Sequence, residues 1–125
     1  MSIVSRKIAE GAKFSVWEIV KDNKAYVSEF VSRLPREIRT RVAQDIRYIA
    51  ENGPPRNESK FKCEQDGIFA IKRTRDQVRI YCFFDEGQVI LLTNGALKKG
   101  RKADPEDLAR AKRLRKAFLE SKRSQ

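Results

Sequence analysis

The chain has 125 residues, 40% hydrophobic and 36% charged, so it is long enough for one domain with a core, and its apolar residues are too regularly spaced for a disordered chain. The 28 Lys and Arg residues outnumber the 17 Asp and Glu residues, and the net charge of +11 indicates an anionic partner, with RNA or DNA as the leading class. The chain has no histidine, and its two cysteines lack the spacing of a zinc site, which argues against a metal centre.

The positive charge is concentrated toward the end of the chain. Residues 96–125 contain 11 cations and 4 anions. A basic solvated face, or a protein partner with an acidic surface, is also compatible with this charge, but its concentration in one segment favours nucleic acid. No stretch approaches 18 apolar residues, and the first residues lack the apolar centre of a signal peptide. We therefore expect a cytoplasmic protein with no membrane association.

The first third of the chain predicts a strand and a short helix. Residues 1–12 carry a weak pattern and are expected to form a short frayed helix or extension. The stretch "FSVWEIV", residues 14–20, is rich in β-branched and aromatic residues and predicts a strand. Asp22 or Asn23 has the side chain of a helix N-cap, which predicts a helix that ends near Arg33.

A second helix is predicted from Pro35, which suits a first helical turn. Its apolar residues recur at spacings of 4, 4 and 3, as one face of an α-helix requires; they are Ile38, Val42, Ile46 and Ile49. The sequence "NGPP" then ends the helix, because glycine accepts a left-handed cap and proline cannot continue a helix.

The middle of the chain predicts an antiparallel meander of four strands. The runs "KFKCE", "IFAIKRT", "VRIYCFF" and "QVILLTN" are separated by "QDG", "RDQ" and "DEG", each short enough for a hairpin. In the third run the side chains alternate between two faces. Val78, Ile80, Cys82 and Phe84 are expected to face the helices, and Arg79, Tyr81 and Phe83 to form an open face suited to a polyanion and its bases.

The cations of the stretch "LLTNGALKKGRKADPED" lie in the loop after the last strand. Lys98, Lys99, Arg101 and Lys102 follow one another with no acid between them. The "DPED" sequence then supplies a cap, a first-turn proline and carboxylates for a final helix. The order predicts one α+β domain over 1–125: an N-terminal strand, two packed helices, a four-stranded antiparallel meander and a C-terminal helix, with the helices on one face of the sheet.

This order resembles the RelE/ParE superfamily of type II toxins, and within it the phage-derived HigB-like branch. The resemblance covers residues 14–118. It rests on "FVSRLPREIRTRVAQDIRYIAENGPP" for the paired helices, "GIFAIKRTRDQVRIYCFFDEGQVILLTNGALKK" for the sheet and "DPEDLARAKRLRKAF" for the last helix. In that superfamily a Y-E-L-R-like strand precedes an R-I-L-Y-like strand, an apolar strand, a loop ending in two lysines, and a helix. The counterparts here are "FAIK", "RIYC", "VILLTNGALKK" and "DPEDLARA".

The resemblance implies a ribosome-dependent mRNA endoribonuclease without a cofactor. Its partners would be mRNA, the ribosome and a cognate antitoxin, often of helix-turn-helix type, that silences it. The ParE branch shares the fold and inhibits DNA gyrase, so the fold alone does not decide the activity. A non-catalytic nucleic-acid-binding module is the other alternative.

RNA cleavage by the 2′-hydroxyl needs a base, positive charge on the phosphate and a proton for the leaving 5′-oxygen. Without histidine these roles fall to Lys, Arg and Tyr. The resemblance assigns Arg79 as the phosphate clamp, Lys99 as charge stabiliser or proton donor, and Lys98 as backbone clamp. It also makes Lys72 a phosphate contact or base, while Tyr81 stacks a base or donates a proton. A lysine among other cations should have a lowered pKa, which suits such a role.

Further cations are expected to bind the RNA backbone and to take no part in the chemistry; they are Arg73, Arg75, Arg101, Lys102 and Arg113. Solvated or ion-paired side chains are the alternative for each of these cations and for the Lys and Arg catalytic candidates, and an ordinary packed tyrosine is the alternative for Tyr81. The chain also departs from the superfamily pattern at three positions. Ala70 replaces a glutamate, Asn94 a frequent histidine and Ala96 an aromatic residue, which leaves the cleavage rate open.

Overall fold

The computed structural model describes residues 2–98 and 102–124. Within them the chain forms seven strands and three helices. The sequence predicts this α+β arrangement and the three helices, but only five of the strands. The strands are β1 (Ile3–Glu10), β2 (Ser15–Lys21), β3 (Lys24–Ala25), β4 (Phe61–Gln65), β5 (Ile68–Arg73), β6 (Val78–Asp85) and β7 (Val89–Leu97). The helices are α1 (Tyr26–Ser32), α2 (Arg36–Asn52) and α3 (Pro105–Arg123).

The strands form one sheet in the order β1-β2-β7-β6-β5-β4, with the short β3 paired to β2. The predicted meander is confirmed, because β4 to β7 pair with their chain neighbours in antiparallel fashion. Strand β2 lies parallel to β7, with Ser15 opposite Val89. This parallel pairing joins the N-terminal strands to the meander and makes β6 and β7 the centre of the sheet.

The prediction of a frayed helix at residues 1–12 is wrong. Residues 3–10 form β1, an edge strand that pairs with β2 from Ile3 opposite Lys21 to Glu10 opposite Ser15. A bulge between Lys7 and Ala9 interrupts the pairing, and it also interrupts the alternation by which a strand is recognised in a sequence. The loop after β1 packs against the end of α2, where a Cβ on Gly11 would lie 2.4 Å from the backbone of Ala50. Only glycine permits that approach.

The predicted cap of the first helix is also wrong. Asp22 and Asn23 have φ angles of 50° and 67°, and they form the tight turn between β2 and β3. Asp and Asn tolerate this left-handed conformation better than other non-glycine residues, so the same residue types serve turns and caps. Helix α1 begins at Tyr26 without a side-chain cap.

Helix α2 follows its prediction closely. It begins after Pro35 and ends at Gly53, whose φ of 85° terminates the helix. Val42, Ile46 and Ile49 are buried against one face of the sheet. Together with Val27 of α1 they pack on Ile80, Cys82 and Leu92 and form the larger part of the core.

Helix α3 covers the opposite face of the sheet, so the expectation that the helices share one face is wrong. Asp104 caps the helix by accepting a hydrogen bond from the Glu106 backbone at 2.8 Å, and Pro105 opens it, as predicted. Its apolar stripe, Leu108, Ala111 and Leu114, is buried against Tyr81, Phe83 and Leu91. An amphipathic helix must bury its apolar stripe, and the second face of the sheet provides an apolar surface for the stripe of α3. In the described part of the chain, no helix is both long and apolar enough to span a bilayer.

Candidate functional site

A cleft of about 550 Å³ opens where β5, β6 and β7 meet the segment before β4. Its five cations come from four places along the chain: Lys62 on β4, Lys72 and Arg73 on β5, Arg79 on β6 and Lys98 after β7. The sheet register brings them together, because Lys72 is directly opposite Arg79 and the backbone N–H of Lys98 donates to Gln77 at 2.7 Å. Three of the predicted catalytic residues, Lys72, Arg79 and Lys98, therefore line one cleft.

Arg79 lies deepest among these cations, with only 3% of its surface exposed. Its Nη1 is 3.8 Å from Oε2 of Glu64, a carboxylate that is also buried. A guanidinium stays protonated throughout the range in which proteins fold, so the positive charge at the inner wall of the cleft is permanent. The pair with Glu64 is longer than a hydrogen bond, and Glu58 also lines the cleft, so its cations outnumber the nearby carboxylates.

Lys72 has a pKa below its ordinary value of 10.5. Partial burial is the largest cause, followed by the positive charges of Arg79 and Lys62, while Glu64 and Glu58 oppose the shift. The Nζ of Lys72 donates to the backbone oxygen of Glu58 at 3.3 Å, which holds the amine beside the cleft. Lys72 therefore loses its proton at a lower pH than a solvated lysine.

Lys98 joins the cleft to the start of α3. Its Nζ lies 3.8 Å from Oδ2 of Asp104, the residue that caps the helix. About a third of its side chain is exposed, which leaves the amine accessible from solvent. Lys99 and Arg101, both predicted to contact RNA, lie outside the described residues.

A scan against protein-family models matches residues 29–116 to the family described as phage derived protein Gp49-like (DUF891). The matched range contains Lys72, Arg79 and Lys98 and covers more than two thirds of the chain. The chain belongs to the Gp49-like family. This family is associated with toxin–antitoxin systems. No curated protein matches the chain.

In this Gp49-like chain Tyr81 is not on an open face, and the expectation that it stacks a base is wrong. The residue is fully buried among the apolar residues that α3 covers. Its pKa is raised, mainly by burial, although the guanidinium of Arg79 opposes the shift through hydrogen bonding and charge. Tyr81 interacts with the guanidinium of Arg79 and is not among the residues that line the cleft.

The other predicted RNA-binding residues do not converge on the cleft. Arg73 lines its edge, but the guanidinium is held by Asp45 at 2.6 Å and Asp76 at 2.9 Å. That double ion pair ties α2 to the β5–β6 turn and neutralises the charge. Arg75, Lys102 and Arg113 are exposed at separate positions in the β5–β6 turn, before α3 and on α3.

The three departures from the superfamily pattern have structural explanations in the Gp49-like chain. Ala70 is fully buried opposite Tyr81, in the apolar cluster that α3 covers, where a carboxylate would be costly. Asn94 is buried, and its side-chain amide donates to the backbone oxygen of Asp107 at 3.1 Å, which attaches β7 to the first turn of α3. Ala96 lies opposite Arg79 in the sheet.

Sequence reasoning missed two charged residues of β4 at the cleft. Lys62 lines it, and Oε2 of Glu64 lies 3.8 Å from Nη1 of Arg79. Both lie in the run "KFKCE", where charged residues alternate with Phe61 and Cys63. That alternation predicts that Lys62 and Glu64 lie on one face of a strand. The sequence does not show that they are close to Arg79, because this depends on β4 lying beside β5. Among residues 2–98 and 102–124 no cluster of acidic or cysteine side chains is suited to a metal ion.

Proposed function

We propose that this Gp49-like chain is the toxin of a type II toxin–antitoxin system, of the HigB-like branch of the RelE/ParE superfamily. As such it cleaves mRNA on the ribosome and is silenced by an antitoxin. The association of the family with toxin–antitoxin systems supports the cellular role. The observation that carries the activity is the shared cleft of Lys72, Arg79 and Lys98, in which Lys72 has a lowered pKa.

The cleft suits a phosphodiester because its charge is positive and its deepest cation is held in place. The strands on both sides of β6 hold the backbone of Arg79 in place, and its guanidinium supplies positive charge at the inner wall of the cleft. Lys62 and Lys98 lie at the same cleft and attract the neighbouring backbone. A cation that is already positioned stabilises the charge of a transition state without reorganisation.

Lys72 takes the role of general base in this proposal. In its neutral form the amine accepts the proton of the 2′-hydroxyl while the oxygen attacks the adjacent phosphorus. The bond from phosphorus to the 5′-oxygen breaks, and that oxygen takes a proton from an ammonium, for which Lys98 and Lys99 are the candidates. The products are a 2′,3′-cyclic phosphate and a 5′-hydroxyl, with no water consumed. Arg79 neutralises the extra charge on the phosphate during the exchange.

The proposal is tested with translating ribosomes. Purified chain, free of antitoxin and shown to be folded, is added to a translation reaction, and the message is mapped by primer extension. We expect cuts within codons that the ribosome occupies and products with 5′-hydroxyl ends. Intact message at every codon would overturn the proposed activity.

The same sample distinguishes the two alternatives. A binding module would bind RNA with a steep salt dependence and give no cut product. A ParE-like inhibitor would block supercoiling by gyrase while leaving the message intact. A Lys116→Ala variant is the control, because it removes an exposed cation from the fourth turn of α3.

A further inference from the structure

A second pocket, of about 460 Å³, lies between α2 and β5. Gln44, Asp45 and Tyr48 of α2 form one wall, and Lys60, Ile71 and Lys72 contribute to the other. Its size is within the range of small-molecule sites. The proposed cleavage chemistry makes no use of it.

This pocket adjoins the catalytic cleft. Lys72 and Arg73 line both, so a ligand that crosses the two residues enters both spaces. Arg73 is held by Asp45 and Asp76, which makes the boundary between the two spaces a fixed feature of the fold. A chain whose phosphate is bound in the cleft therefore has a neighbouring space into which an adjacent group can turn.

The walls of the pocket have the chemistry of a nucleobase site. Tyr48 is 55% exposed, although it belongs to a helix whose opposite face is in the core. Its ring is an available stacking surface, and proteins that bind single-stranded RNA stack bases on such rings. The Gln44 amide both donates and accepts hydrogen bonds. Oδ2 of Asp45 accepts a hydrogen bond from Arg73, and a carboxylate has further acceptor capacity for a base with an amino group.

We propose that this pocket binds the base of the nucleotide next to the phosphate in the cleft, stacked on Tyr48 and read at its edge by Gln44 and Asp45. The ligand class is single-stranded RNA, and the preferred bases are those with an exocyclic amine. This inference rests on the proposed function, because the cleft must hold RNA for the pocket to receive the adjacent base.

The test asks whether the loss of one base from the RNA and the loss of the Tyr48 ring affect binding independently of each other. The ligand is a fluorescent single-stranded octamer of 2′-O-methyl RNA, which cannot be cut through its 2′-oxygen. A set of octamers each lacks one base. Binding to the wild-type chain and to Tyr48→Leu and Tyr48→Phe is measured by fluorescence anisotropy, and the thermal stability of each variant confirms folding.

We expect that removal of one particular base weakens wild-type binding about 10-fold, as the loss of a stacked base does. In Tyr48→Leu the same removal changes the affinity less than about twofold, because the stacking partner is already absent. In Tyr48→Phe, which keeps an aromatic ring, removal of that base should weaken binding as much as in the wild type. Gln44→Ala changes the preference among the four bases at that position and leaves the others unaltered.

Equal effects of base removal in the wild type and in Tyr48→Leu would overturn the inference, and so would a folded wild-type chain that does not bind the octamer. The outcome separates this inference from the proposed activity. If the message is cleaved but base removal has the same effect in the wild type and in Tyr48→Leu, only the proposed base pocket is rejected. If the effects of base removal and of Tyr48→Leu are coupled but no message is cleaved, the proposed nuclease activity is rejected and the pocket remains an RNA-binding site.

Discussion

Two regions of the sheet bury a glutamate, and they do so in different ways. At the N-terminal edge Glu18 is fully buried, and its carboxylate accepts hydrogen bonds from Nε of Arg6 and from the backbone of Ser28, both at 3.1 Å. Nη2 of Arg6 and the Ser28 hydroxyl also donate to it. At the other end Glu64 lies 3.8 Å from Arg79, beyond hydrogen-bond length, among additional cations.

The difference separates a structural charge from a charge at the proposed site. Glu18 joins β1, β2 and α1, and its donors satisfy it. The region around Glu64 has more positive than negative charge, and there the pKa of Lys72 is lowered. In such a region the protonated form of Lys72 is disfavoured, and a bound anion would stabilise it. This is expected of a site that binds a polyanion.

The largest expected effect comes from Lys72→Gln, which removes the proposed base. Cleavage should fall about 10²- to 10⁴-fold, the usual contribution of a general base. In the wild type the rate should rise about tenfold per pH unit below the pKa of Lys72 and then level off. Single-turnover cleavage between pH 6 and pH 9, with Lys116→Ala as control, checks both. A wild-type pH dependence that persists in Lys72→Gln would exclude Lys72 as the base.

The same variant should be slightly more stable than the wild type. Because the pKa of Lys72 is lowered by folding, the native state disfavours the ammonium. The resulting destabilisation is fully present below the folded pKa, and it disappears as the pH rises toward the unfolded value near 10.5. At neutral pH we expect the melting temperature of Lys72→Gln to rise by about 1–3 °C. A lower melting temperature would show that the bond to Glu58 outweighs the burial of charge.

The next effect is that of Arg79→Ala, which removes the phosphate clamp. Cleavage per folded molecule should fall about 10²- to 10³-fold, as when one preorganised donor to a transition state is deleted. Stability should also fall, because Glu64 loses its buried counter-charge. Arg79→Lys keeps the charge, so it should recover stability but little activity. Growth arrest that persists unchanged in Arg79→Ala would refute the assignment.

Glu18→Ala should show the opposite behaviour. It leaves the buried donors of Ser28 without an acceptor, and we expect the free energy of unfolding to decrease by about 2–3 kcal/mol. Urea denaturation measures the loss. Cleavage per folded molecule should stay at the wild-type rate, and a loss of specific activity would show that the two regions are coupled.

The smallest effect is expected from Glu64→Gln. The carboxylate opposes the lowering of the Lys72 pKa, so its removal should shift the rising part of the pH profile to lower pH. RNA binding should tighten about two- to fivefold, because one negative charge leaves the cleft. An unchanged pH profile would mean that Glu64 does not act on Lys72 in solution.

Local patterns predicted much of the fold. The spacing of Val42, Ile46 and Ile49 predicts α2, because helical periodicity is carried by neighbouring residues. Strand β1 escaped prediction because its bulge interrupts the alternation. Asp22 and Asn23 were misassigned because caps and tight turns use the same side chains.

The candidate site could be predicted only in part. The resemblance and the strand alternation pointed to Lys72, Arg79 and Lys98, and these residues line one cleft. They also suggested that Tyr81 is accessible, because the sequence does not reveal which sheet face α3 covers. The ring of Tyr48 is exposed instead, in the second pocket between α2 and β5.

The sequence by itself determined the elements, the excess of positive charge and the absence of histidine, since these depend on composition and on residues close together in the chain. The tertiary structure decided which cations share a cleft, which carboxylate opposes them and which rings are buried. Those properties depend on strand register and helix docking between residues far apart in the chain. Long-range packing also creates the partial burial and charge proximity that lower the pKa of Lys72.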